Sequence, residues 1–149
     1  MFQKSQGKIL AVCQSEKKGT VKKNIGSGFL LKGYGLKNDA HGGKWHRQIS
    51  LLGIESINKM KNKDFEIDFG SFAENLTTEN IILYELNPGT KLLIGKKVLL
   101  EVTQIGKKCH HNCEIKSKIG MCIMPKEGIF ARVLRSGKVI IGDTIEIIS

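Results

Sequence analysis

Arginine is scarce in this basic sequence: only Arg47, Arg132 and Arg135 stand among 24 lysines and arginines, and aromatic residues make up 6% of the chain. Proteins dedicated to nucleic acid lean on arginine forks and aromatic platforms. A net charge of +10 carried almost wholly by lysine therefore disfavours such a partner. It fits a solvated surface, or a basic mouth for a small phosphorylated ligand. No apolar run approaches the roughly 20 residues that cross a bilayer, so no membrane span is expected. The first eight residues have no apolar core, which argues against a secretory signal and for a cytoplasmic location. Also missing are a phosphate-binding Gly-Lys-Ser/Thr loop, a dinucleotide Gly-x-Gly-x-x-Gly turn and any paired Cys-x-x-Cys. There is no internal repeat, linker or low-complexity tract, so residues 1–149 are expected to form one domain, long enough to bury a core without staples.

Short strands with period-two alternation dominate what is there. Gly7–Gln14 contains the apolar run Ile9-Leu10-Ala11-Val12-Cys13 and reads as a buried strand, with Cys13 as packing. Ser15–Gly28 reads as loop or hairpin edge, and Ile49–Leu52 as a strand. Gly53–Lys61 reads as a short amphipathic helix with Ile54, Ile57 and Met60 on one side. Asn75, Thr77 and Thr78 sit in a stretch of no clear period, where such residues usually cap or turn the chain. Strands are predicted over Ile81–Leu86, Lys91–Ile94, Lys97–Ile105, Ile129–Arg135, Lys138–Ile141 and Thr144–Ile148, with a turn over Met124–Gly128. Many short strands with one short helix imply a mostly antiparallel barrel or sandwich.

Reactive side chains concentrate between Lys107 and Cys122, which holds Cys109, Cys113 and Cys122 with His110 and His111. Attack on a sulfur donor requires a thiolate, and a free cysteine near pKa of about 8.5 is mostly thiol at neutral pH. Lys107, Lys108, His110 and His111 are cationic sequence neighbours that favour the anion of Cys109. Cys113 reads either as a thiol that resolves a persulfide or disulfide or as one with no role, while Cys122 between Met121 and Ile123 reads as packing. Upstream, Gly33, Gly35, Gly42 and Gly43 surround His41, a density that permits close approach of backbone to a ligand. A second reading of the cysteine cluster is a structural zinc site from Cys109, Cys113, Cys122 and either His110 or His111. The spacing and a domain length that needs no metal weigh against it.

Four landmarks, in order, make the chain resemble a stand-alone MOSC domain, the family named after the C-terminal domain of molybdenum cofactor sulfurase. Asn38-Asp39-Ala40-His41-Gly42-Gly43 with Arg47-Gln48-Ile49-Ser50-Leu51-Leu52 resembles the family's Gly-Asp-x-His-Gly-Gly block and Arg-Gln-Val-Ser strand. Phe72-Ala73-Glu74-Asn75-Leu76-Thr77 resembles its Phe-Gly-Glu-Asn-Leu-Thr signature. Val102-Thr103-Gln104 leading to Cys109 resembles the strand that presents the key cysteine. Gly128-Ile129-Phe130-Ala131-Arg132-Val133 and Gly142-Asp143 resemble the C-terminal hairpin. Asn38 and Ala73 replace glycines, and Lys108 stands where many members have proline.

The resemblance implies a closed or partly open antiparallel β-barrel with one or two short helices. It implies a role in sulfur transfer, or in handling the molybdenum cofactor (molybdopterin), with Cys109 as persulfide carrier or molybdenum ligand. His41, Gly42, Gly43, Arg47, Asn75, Thr77, Lys107, Lys108 and Arg132 are the implied cofactor-binding positions, basic groups among them holding the pterin's phosphate. The implied partners are a sulfur donor such as a cysteine desulfurase, and a molybdenum enzyme or cofactor-biosynthesis protein as acceptor. A molybdenum-dependent reductase of N-hydroxylated compounds is the enzymatic alternative. A chain of this length has no flavin or haem domain, so its electrons would come from partners.

Overall fold

A computed structural model of the chain describes residues 5–18, 20–59, 68–106 and 124–148. Its architecture follows from the strand alternation. In β8 (Val98–Ile105) the side chains of Val98, Leu100 and Val102 are buried while Leu99, Glu101 and Thr103 are half-buried, as a period of two requires. The other strands are β1 (Gln6–Gln14), β2 (Lys23–Asn24), β3 (Ser27–Leu31), β4 (Gly35–Leu36), β5 (Ile49–Gly53), β6 (Leu76–Glu79), β7 (Lys91–Ile94), β9 (Ile129–Arg135), β10 (Gly137–Ile140) and β11 (Thr144–Ile147). Two short helices, α1 (Ile54–Asn58) and α2 (Met124–Glu127), complete the described elements with one 3-10 turn.

Seven strands close a barrel in the order β11-β7-β8-β9-β5-β6-β1, with β11 returning to β1 through Gln6↔Glu146 and Lys8↔Thr144. β2 extends the far end of β1. The predicted barrel is therefore present and closed. One pairing departs from the antiparallel expectation: β5 and β6 run parallel, with Leu51 opposite Leu76. Parallel neighbours need a crossover connection, and residues 54–75, which include α1, supply it. A second sheet, β10-β3-β4, packs Leu30, Leu36 and Val139 into the same core as Ile9, Leu51 and Leu100. A smaller cluster of Leu52, Ile57, Phe72, Met124 and Phe130 lies between the wall and the two helices.

Three local expectations are corrected. Residues 81–86 are not a strand: Leu83–Glu85 is a single 3-10 turn, because Asn80 at φ 65° ends β6 and turns the chain. Residues 124–127 close one helical turn rather than a bare reverse turn, pinned by Glu127, which accepts from Ser56 Oγ (2.6 Å) and Lys59 Nζ (2.9 Å). Thr77 and Thr78 do not turn the chain. They lie in β6, fully buried between β1 and β5.

Candidate functional site

The loop between β4 and β5 carries His41, and its shape is set by packing against Tyr34. A side chain at Gly42 would place its Cβ 2.3 Å from the Tyr34 ring, so only glycine fits. The Gly42 amide donates to the Asp39 carbonyl (3.1 Å) and the Gly43 amide to the Tyr34 carbonyl (2.8 Å). The two glycines thus serve the loop's own turn. Trp45 then returns its indole N–H to the His41 carbonyl at 2.7 Å, fixing the loop across four residues.

Behind His41 stands a buried ion pair. Lys22 and Asp39 each expose 4% of their surface, and their side chains none at all. Lys22 Nζ donates to Asp39 Oδ1 at 2.8 Å and to Ser15 Oγ at 3.0 Å, and lies 3.0 Å from His41 Nδ1. Asp39 Oδ1 also accepts the Ser15 amide (3.0 Å), and Oδ2 the His41 amide (3.1 Å). Burial pushes the Asp39 carboxyl up, but Lys22 and the Ser15 amide outweigh it, and the group sits below its ordinary range. Burial pulls the Lys22 ammonium below its ordinary range against the opposing attraction of Asp39. Lys22 reaches this position because its backbone is pressed on Gly70. A Cβ at Gly70 would lie 2.1 Å from the Lys22 carbonyl, and the Lys22 amide donates to the Gly70 carbonyl (2.8 Å).

Asn75 and Glu74 brace the pair from below. Asn75 is fully buried; its Oδ1 accepts the Ser50 amide (2.9 Å) and hydroxyl (3.2 Å), and its Nδ2 donates to the Cys13 carbonyl (3.0 Å). It also helps to hold Asp39 charged. Glu74 accepts from the amides of Gly70 (3.0 Å) and Phe72 (3.1 Å) and from Thr77 Oγ1 (2.8 Å). Burial nonetheless pushes its carboxyl up. Burial, with Glu74 nearby, likewise pushes the Cys13 thiol up, so this cysteine is inert packing.

Toward solvent the loop is cationic. The Trp45 ring lies nearly parallel to His41 (centroids 6.5 Å apart, 4° between planes). Lys18 Nζ is 4.7 Å and the Arg47 guanidinium 5.0 Å from its centroid. Arg47 also lies 5.6 Å from the Phe130 ring, and its buried Nε has no hydrogen-bond acceptor among the described residues. The stem of the cysteine segment touches the same loop. His46 Nε2 pairs with Gln104 Oε1 (2.7 Å), Thr103 Oγ1 donates to the His46 carbonyl, and the Gly106 amide donates to the Gly128 carbonyl (2.7 Å).

Of the expected positions, His41, Gly42, Gly43 and Arg47 therefore share one loop. Asn75 and Thr77 lie buried beneath it with their polar atoms turned to Ser50, Cys13 and Glu74. Arg132 is elsewhere, on β9, where its Nε donates to Glu101 Oε1 at 2.6 Å and its side chain is half exposed. Cys109, with Lys107, Lys108, His110, His111, Cys113 and Cys122, lies outside the described residues. Among the described residues no group of three His, Cys, Asp or Glu is placed to hold a metal ion, and no helix is long and apolar enough to cross a membrane. Sequence reasoning passed over Lys22, Ser15 and Trp45. Asp39 carried a signal, two residues before His41; Lys22, in a loop rich in lysines, carried none.

Comparison with known proteins rests on the family profile and the fold. No curated protein matches the sequence. Among solved structures the chain is similar to the YuaD protein of Bacillus subtilis, at 20% identity and a TM-score of 0.79, covering 99% of this chain and 98% of that one. It is also similar to YiiM of Escherichia coli (18%, TM-score 0.69, covering 98% and 71%). YiiM of Geobacillus stearothermophilus is a third (15%, 0.64, 96% and 73%). At these identities the likeness is one of fold. The profile of the MOSC domain matches residues 38–146, from the His41 loop to the strand that closes the barrel, and the chain belongs to the MOSC-domain family.

Proposed function

We propose that this MOSC protein is a sulfur-carrying or molybdenum-cofactor-binding module that works through Cys109. MOSC domains are associated with the molybdenum cofactor, and the finer role is our reading. The observation that carries it is the basic, aromatic-floored loop of His41, Trp45 and Arg47, tied through His46 to the stem from which the Cys109 segment departs. Cys109 follows Gly106 by three residues.

The described side chains fit an anionic, ring-bearing ligand. The Arg47 guanidinium has a buried donor without an acceptor, which a phosphate oxygen would satisfy. Lys18 adds a second cation beside Trp45. In the cofactor-binding form Arg47 and Lys18 would hold the phosphate, with His41 on the same loop. The bound group would supply the molybdenum centre.

In the sulfur-carrying form the donor is a persulfide of the cysteine-desulfurase class. The Cys109 thiolate attacks the outer sulfur of that persulfide, a new S–S bond forms, the donor's S–S bond breaks and the donor cysteine leaves as thiolate. The acceptor is a molybdenum enzyme or a protein of cofactor biosynthesis. Mass spectrometry of the full chain after incubation with a cysteine desulfurase and cysteine tests this. One added sulfur is expected on the peptide bearing Cys109 and none in Cys109→Ala. Persistence of the added sulfur in that variant, or its absence from the wild type, sinks the sulfur-carrying form.

A further inference from the structure

We infer that the corner formed by the turn before β3 and the turn after β10 docks this protein on an anionic lipid surface. Phe29 on β3 and Ile140 on β10 face the same side of the small sheet. Phe29 stands opposite Lys138 and Ser27 opposite Ile140, which makes the two apolar side chains diagonal neighbours. Phe29 exposes 52% of its surface, Ile140 48% and the next residue, Ile141, 46%. The two turns touch: the Ile141 amide donates to the Gly26 carbonyl (3.0 Å), and Ile25, just before Gly26, is exposed as well. Single exposed hydrophobics are ordinary on a protein surface, whereas a cluster of four from adjoining strands and turns marks an interaction site.

The shape of the corner suits a flat partner. Gly26 (φ 81°) and Gly142 (φ 97°) both have open space where a Cβ would stand, so the two turns project into solvent. Strand β1 holds them from behind. The Gly142 amide donates to the Ile9 carbonyl (2.8 Å), the Ile9 amide to the Asp143 carbonyl (2.8 Å) and the Ile25 amide to the Val12 carbonyl (2.7 Å). Apolar tips already fixed in place lose little conformational freedom when they enter a bilayer interface.

Charge selects the partner. Lys138 faces Phe29 across the strand pair, the Lys37 amide donates to the Phe29 carbonyl (2.9 Å), and Lys23 precedes Ile25 by two residues; all three lysines are exposed. Asp143 is the acid of the β10–β11 turn, and its Oδ2 accepts the Ile140 amide (2.9 Å), so that carboxylate closes its own turn. Glu16 shares a hollow beside Ile25 with Lys17 and Lys23, which leaves that side net positive. Apolar tips ringed by lysine complement a bilayer with anionic headgroups: the tips enter the acyl boundary while the lysine stems reach back to the phosphates. A second copy of this chain would instead set the same lysines against one another in a two-fold contact. Such docking needs no membrane-spanning segment, and it is independent of the role of Cys109.

Co-sedimentation of the full chain with vesicles tests it, using phosphatidylcholine alone and phosphatidylcholine with about one third phosphatidylglycerol. Wild type is expected to bind the mixed vesicles, to bind the neutral ones at least about fivefold more weakly, and to come off as salt rises from about 0.1 M to about 0.5 M. Ile140→Ser/Ile141→Ser should lower partitioning onto mixed vesicles by more than about tenfold. Lys138→Gln should lower it about fivefold while leaving binding to neutral vesicles unchanged. The altered side chains are exposed and the bonds that fix the turns run through the backbone, so both variants should melt as wild type does. Failure of the wild type to sediment with the mixed vesicles overturns the inference and leaves an acidic protein as the occupant of this face. Wild-type binding by the double isoleucine variant also overturns it, since charge alone would then suffice. So does a wild-type dimer in light scattering that the same variant abolishes.

Discussion

Replacing Asn75 by alanine separates a structural brace from a ligand contact. Its carboxamide bridges β5 to β1 from the residue just before β6: Oδ1 takes the Ser50 amide and Nδ2 gives to the Cys13 carbonyl, all fully or nearly buried. In Asn75→Ala both groups lose these bonds with no water to replace them, while the Ser50 hydroxyl keeps the Ala73 carbonyl (3.2 Å) as its acceptor. Each stranded buried group costs about 1–3 kcal/mol, so the pair costs about 2–6 kcal/mol, with a central value near ~4. Against a total stability of about 5–15 kcal/mol this is a large loss. At roughly 2–4 °C per kcal/mol for a domain of this size, the melting temperature should drop by about 8–16 °C. Asn75→Asp keeps the acceptor but sets a carboxylate oxygen against the Cys13 carbonyl, and should be no milder at neutral pH. Urea unfolding followed by circular dichroism gives the number directly. A loss under ~1 kcal/mol in Asn75→Ala would refute the brace and return Asn75 to the ligand-contact role implied by the family resemblance.

Two further outcomes follow from the buried acids and the buried thiol. Glu74 is raised in the fold, so its proton is held more tightly there than in the unfolded chain. Its contribution to stability is full below the unfolded value of about 4.3 and is lost as pH rises through the folded one. Urea midpoints should therefore show a component that falls with rising pH in wild type and is absent from Glu74→Gln. Asp39, lowered in the fold, acts oppositely: its contribution is present above the unfolded value of about 3.9 and disappears as pH falls through the folded one. Cys13, buried and held as thiol, should resist iodoacetamide at pH 8 in the native protein and be labelled only in denaturant, as peptide mass spectrometry would report.

Where one face of a strand is dry and the other wet, the sequence was readable. β8 and the β9–β10 hairpin declare themselves by alternation, and β1 by its apolar run. Misreadings came where that contrast fails or misleads. Ile81 and Leu83 are buried while Ile82 and Tyr84 are partly exposed, which imitates a strand; Leu86, three beyond Leu83 and also buried, is the mark of the tighter helix. β6 gave no period because Leu76, Thr77 and Thr78 are buried on both faces, as expected beside a parallel neighbour.

The site divides the same way. His41 and Asp39 sit in one short motif, whereas Lys22 arrives through the fit of its backbone on Gly70. The two departures from glycine in the family motifs gain a physical meaning. Asn38 at φ 71° and Ala73 at φ 63° both occupy left-handed backbone, where glycine is unstrained. Asparagine tolerates that region. Ala73 carries strain of about 1–2 kcal/mol, against which its methyl is buried with Leu52, Ile57, Phe72 and Phe130.

The seam between β1 and β11 sets the order in which a ribosome can deliver this protein. Residues 6–8 are synthesised before residues 144–146 and must wait for them, so this long-range pairing closes late. Until then β1 and β7 each offer a bare row of amides and carbonyls to neighbouring nascent chains. Chaperone dependence during overexpression, and inclusion bodies when β11 is truncated, are the expected cost of joining the first strand to the last.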